Sequence, residues 1–170
     1  FQDSLLGCYR FTREGINFPA RQAMNLMMTN NKPNVNLFKD PNKKITNFEL
    51  LSEIIPPMST KFKNKQFDVD DDKKTSNNIV EIVNGVYKRG QMDKGVLGGG
   101  SKGLIQSIFN DFSHRSSSDF IDNLQFLVND YMKVSSYSVG VSDLIADGNT
   151  NTKITDVMSS KKKEVYNLID

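Results

Sequence analysis

The sequence predicts an α+β fold, with short helices packed on a small, mostly antiparallel sheet or hairpin and a long C-terminal helix. Three observations predict it. Phe120, Ile121, Leu124, Leu127, Val128 and Tyr131 recur at the 3.6-residue period of a helix with one apolar face. Asn84-Gly85, the strongest short hairpin signal, stands between the β-branched run at 79–83 and its return at 86–92. Ile154, Val157, Met158, Val165, Leu168 and Ile169 form a stripe over 149–170, interrupted by Lys161, Lys162 and Lys163, as in a terminal helix with a basic, solvated patch.

In chain order, residues 1–11 are apolar with Gly7 near the middle and read as an entry strand or buried connection. A helix follows from Pro19, which is acceptable in a first turn, with Ala20, Ala23, Met24, Met27 and Met28 on one face. Three methionines there suit a packed core better than a promiscuous groove. Residues 30–44 are polar and turn-rich, and Pro33 and Pro41 interrupt any helix. Thr46 and Glu49 have the spacing of a capping box for a short helix through Ile54, stopped by Pro56-Pro57. Residues 58–78 carry Lys61, Lys63 and Lys65, then Asp68, Asp70, Asp71 and Asp72, and read as a solvated loop. After the hairpin comes a glycine-rich run at 95–103. Leu104, Ile105, Ile108, Phe109 and Phe112 then form a helical face. For the helix at 119–132, Ser116, Ser117 and Ser118 offer caps and Asp119 favours the positive end of the dipole. The helices at 104–112, 119–132 and 153–169 are expected to pack against the hairpin at 79–92.

At 170 residues the chain is one domain, or one and a fraction. It is long enough to bury roughly two-thirds of its unfolded surface. The single Cys8 excludes an internal disulfide framework and fits a reducing compartment. No apolar run approaches the roughly 20 residues of a membrane span, and no charged-then-apolar leader precedes one. The first residue is Phe1, which suggests a piece of a longer chain. Lys and Arg total 22 against 20 Asp and Glu, for a net charge of +2, which argues against a free-standing electrostatic nucleic-acid binder.

Little catalytic chemistry is on offer. The Asp cluster at 68–72 lacks the glycine and closing glutamate of an EF-hand loop. The glycine-rich run feeds a helix start, where amides and the dipole favour anions. A Walker loop, however, needs Gly-Lys-Ser/Thr, and the order here is Ser101-Lys102-Gly103. A flexible turn that lets strand and helix pack closely is the plainer reading. His114 is the only histidine, and no Ser or Cys has a patterned partner for a triad. Cys8 lies in an apolar stretch and is expected to be inert. Asp143 and Asp147, beside Gly140, are better placed for turn bonds and capping than for acid–base work.

Several strings together resemble the pore region of the largest subunit of multisubunit RNA polymerases, of the eukaryotic or large-DNA-virus type. Gln2-Asp3-Ser4-Leu5-Leu6-Gly7 is similar to the string that follows the catalytic loop in that family. Asn84-Gly85, Asp93-Lys94, Gly98 to Ser101 and Gly103-Leu104-Ile105 match a hairpin, an acidic–basic pair, a small-residue loop and a helix opening, in that order. A short helix before Pro56 also fits. The 139–147 run matches Gly-x-Gly-Asp-x-Ile-Ala-Asp, with Ser142 replacing the second glycine. Many relatives carry a second basic residue where this chain has Gly95, and a small uncharged one where it has Lys102.

The resemblance implies a pore domain over 1–150 and the start of a funnel helix over 151–170. Such a domain lines the secondary channel, where nucleotides enter and backtracked RNA leaves. Lys94, Lys102 and Ser101 would lie on the nucleotide path, and Lys161 and Lys162 on the rim used by a transcript-cleavage factor. The implied partners are the other polymerase subunits, nucleoside triphosphates, the RNA 3′ end and, in the complete enzyme, template DNA; no membrane is involved. Mg²⁺ would serve the complete polymerase through an Asp-Phe-Asp-Gly-Asp motif, which this sequence lacks. No catalytic or metal-binding residue is therefore expected in this stretch, and the isolated chain should be inactive. Abundant Lys, Asn and Ile suggest an AT-rich genome, and so a nucleus, or the host cytoplasm or virion for a large DNA virus. Two other functions fit the residues: an independent phosphate- or nucleotide-binding domain using 98–103, and a protein-interaction domain.

Overall fold

The computed structural model describes residues 2–30, 33–98, 100 and 102–169. Its N-terminal stretch is a helix, α1 (Gln2–Phe11), not the strand or buried connection its apolar run suggests. Cys8, Phe11 and Thr12 are buried at i, i+3 and i+4, one helical face. Gly7 marks a close approach of two helices. A Cβ there would stand 3.2 Å from Val128 Cβ and Met132 Cγ, so the missing side chain lets α6 (His114–Ser135) lie against α1.

That long helix carries the predicted face. Phe120, Leu124, Leu127 and Val128 are buried, and Tyr131 packs against the same core. It starts ahead of the proposed serine caps. Ser116 N–H donates to Ser113 Oγ at 3.1 Å, which makes Ser113 the capping residue. Ser117 is buried inside the helix, its hydroxyl 3.4 Å from the Ile105 carbonyl of α5 (Leu104–Asp111). In α5, Leu104 and Ile108 are buried, but Phe109 and Phe112 are exposed, so the apolar face is narrower than its spacing implies.

The first sheet pairs β1 (Asn17–Pro19) antiparallel with β2 (Lys44–Thr46), setting buried Phe18 opposite buried Ile45. Strands this short show no readable alternation. Between them, α2 (Ala20–Leu26) buries Ala20, Ala23 and Leu26. Of the three methionines only Met27 is buried; Met24 is 47% exposed and Met28, beyond the helix end, 74%. The capping box forms as predicted at α3 (Asn47–Ser52). Glu49 N–H donates to Thr46 Oγ1 at 3.1 Å, and Thr46 N–H to Glu49 Oε2 at 2.8 Å. Buried Asn47 joins this corner to α1, its amide donating to the Phe11 carbonyl at 2.6 Å and the Arg13 carbonyl at 2.8 Å.

The second sheet has the order β3 (Thr60–Lys63), β4 (Ile79–Val83), β5 (Val86–Arg89), all antiparallel. The hairpin is where Asn84-Gly85 puts it, with φ of 50° and 77° at these residues, as a type I′ turn requires. Strand β3 replaces part of the expected solvated loop. Its charges disguise it: Lys61 lies opposite Glu81 and pairs with it at 2.8 Å, and Arg89 bonds the same carboxylate at 2.9 Å. Beyond β3 the acidic cluster caps turns. Asp71 Oδ2 accepts from Asn78 Nδ2 at 2.8 Å, and Asp72 Oδ1 from Lys74 N–H at 2.9 Å.

One core cluster runs from Phe11, Phe18 and Ile45 through Leu50, Val80, Ile82 and Tyr87 to Ile108 and Leu127. Within it, α3 is the helix that lies on β5; α5 and α6 pack chiefly on each other, and α6 on α1, rather than on the hairpin as expected. The α+β class thus holds, with two small antiparallel sheets and a long C-terminal helix.

The chain divides into two units, Phe1–Ser135 and Ser136–Asp170. In the second, a 3-10 turn (Val141–Leu144) leads to α7 (Gly148–Ile169). Gly140 has an ordinary φ of −76°, so this turn does not depend on glycine. Both carboxylates serve the backbone: Asp143 Oδ2 accepts from Gly140 N–H and Asp147 Oδ1 from Thr150 N–H, each at 2.8 Å. None of α7's described side chains is buried. Among the described residues, no helix is long and apolar enough to cross a membrane.

Candidate functional site

The site is built where β5 ends and the glycine-rich run begins. Gln91 and Met92 are stitched to α1 and its exit: Gln91 Nε2 donates to the Tyr9 carbonyl at 3.3 Å, and Met92 N–H to Thr12 Oγ1 at 2.9 Å. Thr12 Oγ1 in turn donates to the Cys8 carbonyl at 2.7 Å. The next residue, Asp93, caps a one-turn helix, α4 (Lys94–Leu97), that the glycine-rich reading overlooks. Its Oδ1 accepts from Gly95 N–H at 2.8 Å and Val96 N–H at 3.0 Å. Its Oδ2 accepts from Lys65 N–H at 2.8 Å, reaching back to the turn after β3.

This arrangement separates the acidic–basic pair. Both Asp93 oxygens are occupied by backbone amides, and Lys94 forms no ion pair among the described residues. Lys94 is exposed at the first position of α4, anchored underneath by buried Val96 and Leu97. Lys102 is exposed just before α5. Ser101 lies outside the described residues. Lys161 pairs with Glu164 at 2.6 Å, and exposed Lys162 sits beside it on α7, in the second unit.

The glycine-rich run does not form an open cradle in its described part. Gly98 N–H donates to the Lys94 carbonyl at 2.9 Å and Gly103 N–H to the Gly100 carbonyl at 3.1 Å. A Cβ on Gly103 would come within 2.8 Å of the Gly98 carbonyl oxygen, so buried Gly103 is there for close packing. The independent phosphate-binding alternative thus finds no support. Cys8 lines a small apolar cavity of about 30 Å³ with Leu5, Leu97, Ile105 and Leu124. Burial pushes its thiol up to about 12, which keeps it unreactive. Among the described residues, no three His, Cys, Asp or Glu side chains are grouped to hold a metal.

Residues 1–144 match the model of the family described as RNA polymerase Rpb1, domain 3. The chain belongs to this family. It is accordingly a domain of the largest RNA polymerase subunit. The chain is 27% identical over 173 residues to DNA-directed RNA polymerase subunit 1 of Acanthamoeba polyphaga mimivirus, an alignment covering 99% of the chain and 10% of that relative. It is 26% identical over 169 residues to DNA-directed RNA polymerase II subunit RPB1-B of Trypanosoma brucei brucei, covering 96% of the chain and 9% of that relative. The chain thus spans about a tenth of the length of these relatives.

The sequence points to Lys94 but not to its two supports in this domain. Asp93 looks like its ion-pair partner and is a helix cap. Lys65 looks like part of a solvated basic run and is bonded to that cap. The available signal was Asp93 followed two and three residues on by Gly95 and Val96, the capping offset.

Proposed function

We propose that this chain is the pore segment of the largest subunit of a DNA-directed RNA polymerase, residues 1–150 lining the secondary channel and 151–170 opening the funnel. The observation that carries the reading is the family match over 1–144, together with a Lys94 ammonium that has no ion-pair partner among the described residues and is presented on a capped turn. The role is positional and electrostatic. Lys94, with Lys102 and Ser101, guides incoming triphosphates and the extruded RNA 3′ end as point charges and polar groups that do not clamp them. Lys161 and Lys162 contribute to the surface used by a transcript-cleavage factor. Other polymerase subunits and template DNA complete the enzyme, which works in a nucleus or, for a viral source, in host cytoplasm or virion; the viral and trypanosomal relatives are consistent with both.

Nucleotidyl transfer itself belongs to the complete polymerase and its Mg²⁺. Among the described residues, Asp71, Asp72, Asp143 and Asp147 each hold backbone or side-chain donors in turns and caps. In the complete polymerase, Lys94→Glu should slow elongation most at low nucleotide concentration or alter cleavage after backtracking. Its effect on fold stability should stay within about 0.5 kcal/mol, as for an exposed side chain. Normal elongation at every nucleotide concentration, with normal cleavage, would refute the channel role of Lys94.

A further inference from the structure

The three lysines of the 61–65 run have different fates. Lys61 is neutralised by Glu81 at 2.8 Å. Lys63 Nζ lies 4.3 Å from the centre of the Phe67 ring, a cation–π contact. Lys65 is exposed and has no ion-pair partner among the described residues. Its backbone is fixed by the Asp93 carboxylate at 2.8 Å, the same carboxylate that caps the helix carrying Lys94. Its side chain crosses the neighbouring position: a Cβ on Gly95 would stand 3.2 Å from Lys65 Cγ. Gly95 therefore leaves the space through which the Lys65 stem runs, and Asp93 ties two exposed lysines, far apart in sequence and without ion-pair partners among the described residues, to one helix start.

We propose that Lys65 is the second cationic residue of the nucleotide path, acting with Lys94 on the polyphosphate of an incoming nucleoside triphosphate, and that Asp93 is the positioning residue that holds the two together. The inference rests on the channel reading of Lys94. Asp93 forms no ion pair with either lysine among the described residues; its oxygens accept the three amides of Lys65, Gly95 and Val96, and against its single negative charge the two lysines leave a net positive one. A triphosphate carries several charges over its length, so two mobile ammonium groups engage it better than one. A single unit charge a few ångströms from a phosphate in watery surroundings is worth roughly a three- to tenfold change in half-saturating concentration, and added salt shrinks the effect.

The test measures elongation by the complete polymerase against nucleotide concentration for Lys65→Ala, Lys65→Arg, Lys94→Ala, the double alanine variant and Asp93→Asn. Lys65→Ala should raise the half-saturating nucleotide concentration about three- to tenfold with the saturated rate unchanged, and Lys65→Arg should restore it. Asp93→Asn loses both a negative charge and an acceptor, so its readout is coupling: in the Asp93→Asn background the Lys65→Ala effect should be smaller than in the parent enzyme. The double variant should exceed either single one, and the Lys65 effect should shrink as salt is raised. An effect of Lys94→Ala with none of Lys65→Ala would overturn the pairing and leave the channel reading standing. Absence of both effects would overturn the channel reading as well. A fall in saturated rate without a change in half-saturation, unrescued by arginine, would make Lys65 a structural residue and refute the proposal.

Discussion

Replacing Thr12 by Val isolates a single hydrogen bond that holds the candidate site to the core. Thr12 is 1% exposed, and its hydroxyl stands between the Cys8 carbonyl, to which it donates, and Met92 N–H, from which it accepts at 2.9 Å. The carbonyl loses little in the variant, since it also accepts from Thr12 N–H at 3.0 Å. Met92 N–H has no such reserve, and Met92 is fully buried. An orphaned buried donor costs about 1–3 kcal/mol, and valine nearly matches threonine in volume, so no cavity offsets or enlarges that loss. With a urea m-value of about 2 kcal/mol/M, the midpoint of the 170-residue chain should fall by about 0.5–1.5 M. Thr12→Ser keeps the hydroxyl and should recover most of the difference. Urea unfolding followed by far-UV circular dichroism is the assay. A Thr12→Val midpoint within about 0.2 M of the parent chain would refute the reasoning, because the Met92 amide would then have found another acceptor.

Other outcomes follow from the same geometry. Leu127→Ala in the middle of α6 should cost about 2–5 kcal/mol in denaturant unfolding; a cost below about 0.5 kcal/mol would mean that the face is exposed. Gly90→Ala should be more damaging than its size suggests, because φ is 101° and a Cβ would lie 2.3 Å from the Ile79 carbonyl oxygen; an unchanged melting temperature would contradict this strand-end packing. Hydrogen bonds from Lys61 and Arg89 hold the Glu81 carboxyl below its ordinary 4.5. Its contribution to stability is therefore complete above about pH 4.5 and is lost as pH falls through the lower folded value, so Glu81→Gln should flatten the loss of stability in that acid range. Equal slopes for the two proteins would show that the pair contributes nothing.

Legibility followed the range of the interaction. The Asn84-Gly85 turn, the Thr46–Glu49 box and the apolar face of α6 are each fixed by neighbours within a turn or two, and each formed where its spacing puts it. The errors arose where a distant partner decides. Gly7 reads as a break in an apolar run until Val128 and Met132 are known to lie against it. Lys61 reads as loop until Glu81 stands across from it on β4. The methionine face of α2 shows a related failure, since a period continued past the helix end assigned Met28 to a core it never reaches. At the candidate site, adjacency in sequence suggested an Asp93–Lys94 pair, whereas Asp93 bonds backbone 28 residues away. Lys65 thus became visible only in three dimensions.

The close seat of α1 on α6 also sets an order of events at the ribosome. The Arg10 guanidinium reaches Ser135 Oγ across 125 residues of chain, and synthesis proceeds at about 5–20 residues per second. The face of the amino-terminal helix that α6 covers, with Gly7 on it, therefore waits roughly 6–25 s for its partner. Its early neighbours, β1 and the Asn47 amide, can hold only its exit end. A nascent chain stalled before α6 emerges would present that apolar face to chaperones, and release past residue 135 would withdraw it.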